Sequence, residues 1–231
     1  MKKIGILGGM SYESTIKYYD LLIQKYYDRY HDYNYPEIII YSLNFQKVID
    51  YELGNDESIY VDYLMTGINS LQNGGVDFII MAANSPHAVY NKLVQKSKVP
   101  ILSIVEATAK KAHQENLNKL LLLGIKYTMQ ASFYKESFSK SGMEVITPLD
   151  SEQDIIDQII FDELVIGKFT GESKDTLLKI ISNYNVDGII LGCTELPFIL
   201  QQNDTNIRLL DTVELHIEAA LKYYLDITEN A

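Results

Sequence analysis

The chain's single cysteine, Cys193, lies in the segment Gly-Cys-Thr-Glu-Leu-Pro at residues 192–197. An apolar run precedes this segment, so the thiol is expected at the end of a strand and at the entrance to a helix. The positive end of a helix lowers the pKa of a nearby thiol and favours the reactive thiolate. Thr194 adds a hydroxyl and a backbone N–H that can bind a carboxylate. A lone cysteine is also often a buried core residue, and its position alone does not separate the two interpretations.

A second polar turn, Ala-Asn-Ser-Pro-His at residues 83–87, also follows an apolar run. Asn84 and Ser85 can donate hydrogen bonds to an anion there, and Pro86 suits the first turn of a following helix. Either residue can instead act as a helix N-cap, a role that is compatible with ligand binding. His87 is interpreted as a structural histidine that orients the turn.

A third segment, Gly-Gly-Met-Ser at residues 8–11, closes the first apolar run. Its glycines allow a ligand to approach the backbone closely, with the N–H groups of Met10 and Ser11 available to it. The segment lacks the third glycine of a dinucleotide-binding loop and the Gly-Lys-Thr of a P-loop, so no nucleotide site is predicted. The four histidines are scattered and the cysteine is single, so no metal site is predicted either.

Short apolar runs alternate with amphipathic stretches along the whole chain. The runs that predict strands are Ile4–Leu7, Glu37–Tyr41, Phe78–Met81, Pro100–Leu102, Leu120–Leu123, Glu144–Ile146, Ile189–Leu191 and Arg208–Leu210. The stretches that predict helices include Ile16–Tyr30, Glu57–Gln72, Phe133–Lys140, Glu152–Leu164 and Thr212–Leu225. Buried strands alternating with helices are typical of an α/β fold with mainly parallel sheets covered on both faces.

The chain also contains a weak internal repeat. Residues 76–84 match residues 186–194: each copy begins with Val-Asp, continues through a buried strand and ends in a polar turn. Two similar α/β lobes are therefore predicted, the first from residues 1–98 and 208–231 and the second from residues 99–207. Ligands of open α/β sheets bind beyond the carboxyl ends of the strands, where both copies of this motif end.

Composition narrows the class of protein. The 231 residues are 47% hydrophobic and 22% charged, which is typical of a soluble globular protein. A net charge of −11 disfavours binding to nucleic acid. No apolar stretch approaches the roughly 18 residues of a membrane span. The N-terminus does not resemble a signal peptide, and a single cysteine suits a reducing compartment, so we expect a cytoplasmic protein that acts away from membranes.

Four segments, in this order, resemble the aspartate/glutamate racemase superfamily over nearly the whole chain. They are Ile-Gly-Ile-Leu-Gly-Gly-Met-Ser-Tyr-Glu-Ser-Thr at 4–15, Ala-Asn-Ser-Pro-His at 83–87, Leu-Leu-Gly-x-x-x-Thr-Met at 122–129 and Gly-Cys-Thr-Glu-Leu-Pro at 192–197. The last segment is the most specific. The resemblance implies two pseudo-symmetric α/β/α lobes with an active-site cleft between them. It also implies a homodimer and catalysis without pyridoxal phosphate, a metal or another cofactor.

The family mechanism uses two cysteines, one on each face of the substrate α-carbon, to remove and return a proton. By resemblance, Cys193 matches the second of these cysteines. The residues that the resemblance places around the substrate are Met10, Ser11, Asn84, Ser85, Thr128 and Thr194. Lys168 is a further candidate, as the partner of a side-chain carboxylate, although it can equally be a solvated lysine.

Ala83 occupies the position of the first family cysteine, as the internal repeat also indicates. A methyl group carries no exchangeable proton, so racemization with two thiols is excluded. Ser85 or a bound water remains as the second proton carrier, and a hydroxyl is a far weaker acid than a thiol.

The sequence therefore predicts a cofactor-independent isomerase of the amino-acid racemase type, acting on aspartate, glutamate or a similar small acidic substrate. Two alternatives stay open. One is a single-cysteine decarboxylase, or another one-base carbanion enzyme, similar to the arylmalonate decarboxylases. The other is a catalytically silent protein that binds acidic metabolites.

Overall fold

The computed structural model describes residues 2–54 and 56–229. The chain divides into two compact units, Met1–Ile104 with His216–Ala231 and Val105–Leu215. Residues 1, 230 and 231, at the ends of the predicted first lobe, lie outside the described residues. Within the described ranges, no helix is long and apolar enough to cross a membrane.

The first unit contains a four-stranded parallel sheet with the strand order β2-β1-β3-β4. Its strands are β1 (Lys3–Gly8), β2 (Glu37–Ser42), β3 (Phe78–Met81) and β4 (Ile101–Leu102). Its helices are α1 (Tyr12–Tyr30), α2 (Phe45–Glu52), α3 (Glu57–Asn73), the 3-10 helix Ser85–Val89 and α4 (Tyr90–Lys96).

The second unit contains a parallel sheet of the same size, with the strand order β6-β5-β7-β8. Its strands are β5 (Lys119–Leu123), β6 (Glu144–Ile146), β7 (Gly188–Leu191) and β8 (Arg208–Asp211). The helices from this part of the chain are α5 (Ile104–Gln114), α6 (Lys126–Gln130), α7 (Phe133–Ser139), α8 (Asp150–Asp162), α9 (Gly171–Ser182) and α10 (Leu196–Ile199), with the 3-10 helices Leu164–Ile166 and Gln202–Asp204. The last helix, α11 (Thr212–Glu229), starts in this unit and belongs to the first from His216 onward.

The predicted α/β class with two lobes and parallel sheets is confirmed, and each of the eight predicted strands is present. The two sheets have the same connectivity, because β1, β2, β3 and β4 occupy the positions that β5, β6, β7 and β8 occupy in the second sheet. The strands of the internal repeat, β3 and β7, are therefore equivalent, and both are entirely buried. The cleft expected from the family resemblance stays a prediction.

The Val-Asp pair of the repeat has the same structural role in both units. The Asp77 carboxylate accepts a hydrogen bond from the Lys3 backbone N–H at 2.7 Å, and the Asp187 carboxylate accepts one from the Lys119 N–H at 2.9 Å. Each carboxylate thereby satisfies a backbone donor at the start of the neighbouring strand. The repeat thus encodes how β3 is joined to β1 and how β7 is joined to β5.

The boundaries of the two units differ from those predicted at residues 98 and 208. The strand β4 pairs with β3 and so belongs to the first unit, which extends to Ile104. The strand β8 pairs with β7 and so belongs to the second unit, which extends to Leu215. Strand pairing is a long-range interaction that the apolar pattern of a short strand does not reveal.

Helix α11 is joined to the rest of the first unit by His216, which is fully buried. Its Nε2–H donates to the Leu102 carbonyl at 3.0 Å, and Nδ1 accepts from the Tyr18 hydroxyl at 2.9 Å. Burial, followed by the charge of His87, lowers the His216 pKa from 6.5 to about 3. The imidazole is therefore neutral in the folded protein at neutral pH.

These contacts predict that acid weakens the fold through His216. Below pH 6.5 the unfolded chain binds a proton here that the folded protein does not bind until about pH 3, so stability falls as the pH falls through this range. His216→Asn should reduce the slope of unfolding free energy against pH by up to about 1.4 kcal/mol per pH unit. Denaturant unfolding at a series of pH values measures the slope, and His113→Asn, at an exposed position, is the control. An unchanged slope in His216→Asn would contradict the prediction.

Candidate active site

The turn that carries Cys193 follows β7 and depends on a glycine. A Cβ atom on Gly192 would lie 2.7 Å from the Leu122 side chain and 2.8 Å from the Leu123 carbonyl oxygen. Only glycine lets the end of β7 lie this close to β5. Cys193, which comes next, is 8% exposed and packs within the apolar core of the second unit.

The Cys193 thiol is hydrogen-bonded to a carboxylate that the sequence analysis did not select. Glu195 accepts a hydrogen bond from Cys193 Sγ at 3.0 Å and another from Thr194 Oγ1 at 2.7 Å, both through Oε2. Glu195 itself is only 4% exposed. A charged residue directly before the apolar pair Leu-Pro was the available signal, but sequence does not show that its side chain turns back toward the thiol.

The expected lowering of the Cys193 pKa is wrong. Burial raises the pKa of this thiol well above its usual value, and the negative charge and hydrogen bond of Glu195 raise it further. Helix α10 has only four residues and begins at Leu196, so it provides little positive potential at the sulfur. The group is therefore a neutral thiol at neutral pH.

Thr128 lies beside this turn, in helix α6 after β5, the parallel neighbour of β7. Its methyl group is 3.7 Å from where a Cβ on Gly192 would be, and the residue is 1% exposed. Its Oγ1 atom is buried and has no hydrogen-bond partner among the described residues. Because an unsatisfied buried hydroxyl costs about 1–3 kcal/mol, the position favours a polar ligand atom that would complete it.

Lys168 lies in an exposed segment that follows the 3-10 helix Leu164–Ile166. The Glu163 carboxylate is nearby, and its pKa is lowered mainly by a hydrogen bond from Ser173 and to a smaller extent by the charge of Lys168. The ring of the adjacent Phe169 lies 5.6 Å from that of Phe198 in α10. This places the Lys168 segment against the helix that follows Cys193, while the role of Lys168 in binding stays a prediction.

In the first unit, the turn after β1 contains Met10 and Ser11, which are 8% and 2% exposed. Ser11 is the N-cap of α1, and its side chain accepts from the Ser14 backbone N–H at 3.3 Å. Gly9 has a φ of 82°, and a Cβ there would be 2.2 Å from the Leu43 carbonyl oxygen, so no other residue fits. Met10 packs in the same apolar cluster as Ala83.

The turn after β3 lies next to this one because β1 and β3 are parallel neighbours. The Ser14 hydroxyl donates to the Ala82 carbonyl at 2.6 Å and joins α1 to the second turn. Asn84 and Ser85 are 4% and 9% exposed. Asn84 makes no side-chain capping hydrogen bond to the 3-10 helix that follows. The structure thus brings Met10, Ser11, Asn84 and Ser85 to the carboxyl edge of the first sheet.

His87 has a structural role in this turn. Its Nδ1–H donates to the Asn84 carbonyl at 3.1 Å, and Nε2 accepts from the Ile104 backbone N–H at 3.2 Å. Burial lowers its pKa from 6.5 to about 4. With both nitrogens engaged and the ring neutral, His87 orients the backbone of Asn84.

A second carboxylate that sequence reasoning missed lies beside Ser85. Glu52, half-buried at the end of α2, is hydrogen-bonded to the side chain of Ser85 and accepts from the Tyr60 hydroxyl at 2.8 Å. Burial raises the pKa of Glu52, and the two hydrogen bonds oppose this shift. In the sequence, Glu52 stands at the end of an amphipathic stretch. Nothing there distinguishes it from a solvated glutamate.

The described residues contain no group of three or more His, Cys, Asp or Glu side chains that could hold a metal ion. The polar groups at the two sheet edges are instead suited to hydrogen bonding and proton transfer, through a thiol, several hydroxyls and two carboxylates.

Comparisons with known proteins cover both units. The family model described as Asp/Glu/Hydantoin racemase matches residues 7–220. The chain is 31% identical over 227 residues to the Broad specificity amino-acid racemase RacX of Bacillus subtilis (strain 168), covering 96% of this chain and 98% of that protein.

Two solved structures extend this similarity to the fold. An aspartate racemase homologue from Pyrococcus horikoshii OT3 has a TM-score of 0.84 at 35% identity, covering 96% of this chain and 99% of that one. The Picrophilus torridus aspartate racemase has a TM-score of 0.79 at 26% identity, covering 96% and 94%.

The contact between Glu195 and Cys193 predicts the effect of removing this charge. Glu195→Gln should lower the Cys193 pKa, while burial keeps it above the usual value. The rate of alkylation by iodoacetamide against pH reports this pKa without ambiguity, because the chain has one cysteine. Asp157→Asn is the matched control, since Asp157 has the weakest raising effect on the thiol and its loss should shift the pKa less. A Cys193 pKa that stays the same or rises in Glu195→Gln would contradict this electrostatic account.

Proposed function

Because the chain belongs to the Asp/Glu/hydantoin racemase family, we propose that it interconverts the enantiomers of aspartate, glutamate or a similar small acidic amino acid without a cofactor. The observation that supports this proposal best is the Cys193 thiol, held at the end of β7 by its 3.0 Å hydrogen bond to Glu195. A thiol at this position can exchange a proton with the substrate α-carbon.

The proton balance at Cys193 follows from its contact with Glu195. When the thiol donates, its S–H bond breaks and a C–H bond forms at the substrate carbanion, leaving a thiolate. In the reverse direction the thiolate takes the α-proton and the carbanion remains. Transfer of the resting thiol proton to Glu195 neutralises the carboxylate whose charge raises the thiol pKa, and so produces the thiolate needed for the reverse direction.

The substrate α-carboxylate needs local donors because the protein carries a net charge of −11. In our proposal these donors are the Thr128 hydroxyl and the Thr194 backbone N–H in one unit and the Asn84 side-chain amide in the other, where Ser85 lies beside Asn84. The Thr194 hydroxyl itself donates to Glu195 at 2.7 Å. Met10 and Ser11 line the site, and Lys168 binds the side-chain carboxylate. The similarity to a racemase named for broad specificity is a reason to test neutral amino acids beside the acidic ones.

We propose that the protein is cytoplasmic, because its single cysteine suits a reducing compartment, and by the family resemblance that it forms a homodimer. Size-exclusion chromatography with light scattering gives the mass of the particle, against 26.4 kDa for one chain. A mass of one chain at working concentration would contradict the dimer without affecting the proposed reaction.

The first prediction from this proposal concerns turnover. The purified protein should racemize an acidic amino acid without added cofactor, and Cys193→Ser should abolish interconversion while the fold is retained. In heavy water, α-proton exchange should outpace inversion, because Ala83 provides no second thiol. Chiral chromatography measures inversion, and mass spectrometry measures deuterium uptake. Decarboxylation of a malonate without amino-acid exchange, or binding without any turnover, would instead support one of the two alternative functions.

A second prediction concerns Thr128. Because its hydroxyl has no hydrogen-bond partner in the part of the chain that the structure describes, Thr128→Val should leave the free energy of unfolding nearly unchanged but raise KM for the amino acid. Thr212→Val is the matched control for stability. Its hydroxyl donates to the Leu191 carbonyl at 2.8 Å, so this variant should lose about 1 kcal/mol. An unchanged KM in Thr128→Val would contradict the proposed role of Thr128 in substrate binding.

A further inference from the structure

Racemization needs a proton carrier for each face of the α-carbon, and the first unit has Ala83 where a thiol would supply one of them. Three polar side chains of the turn after β3 and its surroundings are candidates. His87 is excluded because both ring nitrogens are occupied by backbone groups. Ser14 is occupied as well, since its hydroxyl donates to the Ala82 carbonyl at 2.6 Å. Ser85 is the candidate that remains.

Ser85 differs from an isolated hydroxyl because it is paired with a carboxylate. The Ser85 side chain is hydrogen-bonded to Glu52, and Tyr60, which is 1% exposed, donates to Glu52 Oε1 at 2.8 Å. The tyrosine holds the carboxylate in place, and the serine lies in the turn immediately beyond Ala83. Glu52 has no role in the reaction described so far, and Ser85 has been placed only at the edge of the proposed binding site.

We propose that Ser85 and Glu52 form the second proton-transfer pair of the enzyme, with Ser85 as the catalytic hydroxyl and Glu52 as the carboxylate that takes up and returns its proton. This inference rests on the proposed racemase function. In the forward step the substrate Cα–H bond breaks, a new Ser85 O–H bond forms, and the original hydroxyl proton passes to Glu52. In the reverse step Glu52 returns that proton as Ser85 protonates the carbanion.

The second unit contains a similar pair. In one unit a carboxylate is hydrogen-bonded to the Cys193 thiol, and in the other a carboxylate is hydrogen-bonded to the Ser85 hydroxyl. Burial raises the pKa of Glu52, so this carboxylate accepts a proton more readily than a solvated glutamate does. A serine hydroxyl is a poor base by itself, and coupling to such an acceptor is the established way to activate it.

The test uses deuterium exchange with each enantiomer separately. Each carrier serves one face, so Glu52→Gln should slow inversion by roughly 10²-fold or more while one enantiomer still exchanges its α-proton through Cys193. Cys193→Ser should show the reverse pattern, with exchange kept for the other enantiomer. Asp50→Asn is the matched control, because it removes an exposed carboxylate from the same helix. This carboxylate accepts a hydrogen bond from Gln46 at 2.8 Å, and the variant should behave as the unchanged protein.

Two further variants keep the test decisive. If Glu52→Gln does not fold, Ser85→Ala should give the same enantiomer-specific loss. Adding Ala83→Cys to Glu52→Gln should restore inversion, because a thiol at that position needs no carboxylate relay. A purely structural role for Glu52 would instead reduce exchange of both enantiomers alike and would not be rescued.

The outcomes separate this inference from the function on which it rests. Inversion at the original rate in both Glu52→Gln and Ser85→Ala would overturn the pair and leave the racemase proposal intact. Absence of both exchange and inversion in the unmodified protein would overturn the racemase proposal itself.

Discussion

The parallel pairing of β3 with β1, and of β7 with β5, is the constraint on which the candidate site depends. All strands of a parallel sheet end at the same edge, so the turns that follow paired strands are neighbours. Asp77 and Asp187 join each pair by accepting hydrogen bonds from the adjacent strand. A slip of one residue in either pairing would shift the turn that carries Ala83 or Cys193 relative to the turn beside it.

At each edge a carboxylate is hydrogen-bonded to a candidate proton carrier. Glu195 accepts a hydrogen bond from the Cys193 thiol and, together with burial, raises the pKa of that thiol, so the group is a neutral thiol and not a thiolate. Glu52 is hydrogen-bonded to the Ser85 side chain, and this bond lowers the Glu52 pKa against the raising effect of burial. In our proposal the charges of Glu195 and Glu52 repel an anionic substrate, so neutral donors such as the buried hydroxyl of Thr128 hold its carboxylate.

The two units show how a repeated scaffold can keep its framework while its chemistry diverges. Strand order, the aspartate before the central strand and the buried strand itself are the same in both. The turns differ: Ala83 leads into a 3-10 helix, whereas Cys193 leads into the short helix α10. The framework depends on backbone hydrogen bonds, which tolerate changes of side chain in the turns. In our proposal the thiol lost from one turn is replaced by Ser85, assisted by a residue from α2.

The sequence by itself determined the α/β class, the eight strands and the equivalence of Ala83 with Cys193, because these depend on local apolar patterns and on a repeat. It also indicated which turns carry the polar groups. Tertiary structure alone decided which unit contains β4 and β8, the direction of the Cys193 pKa shift and the positions of Glu52 and Glu195 beside their partners. Strand pairing, desolvation and side-chain hydrogen bonds arise between groups brought together by folding, so a local pattern does not contain them.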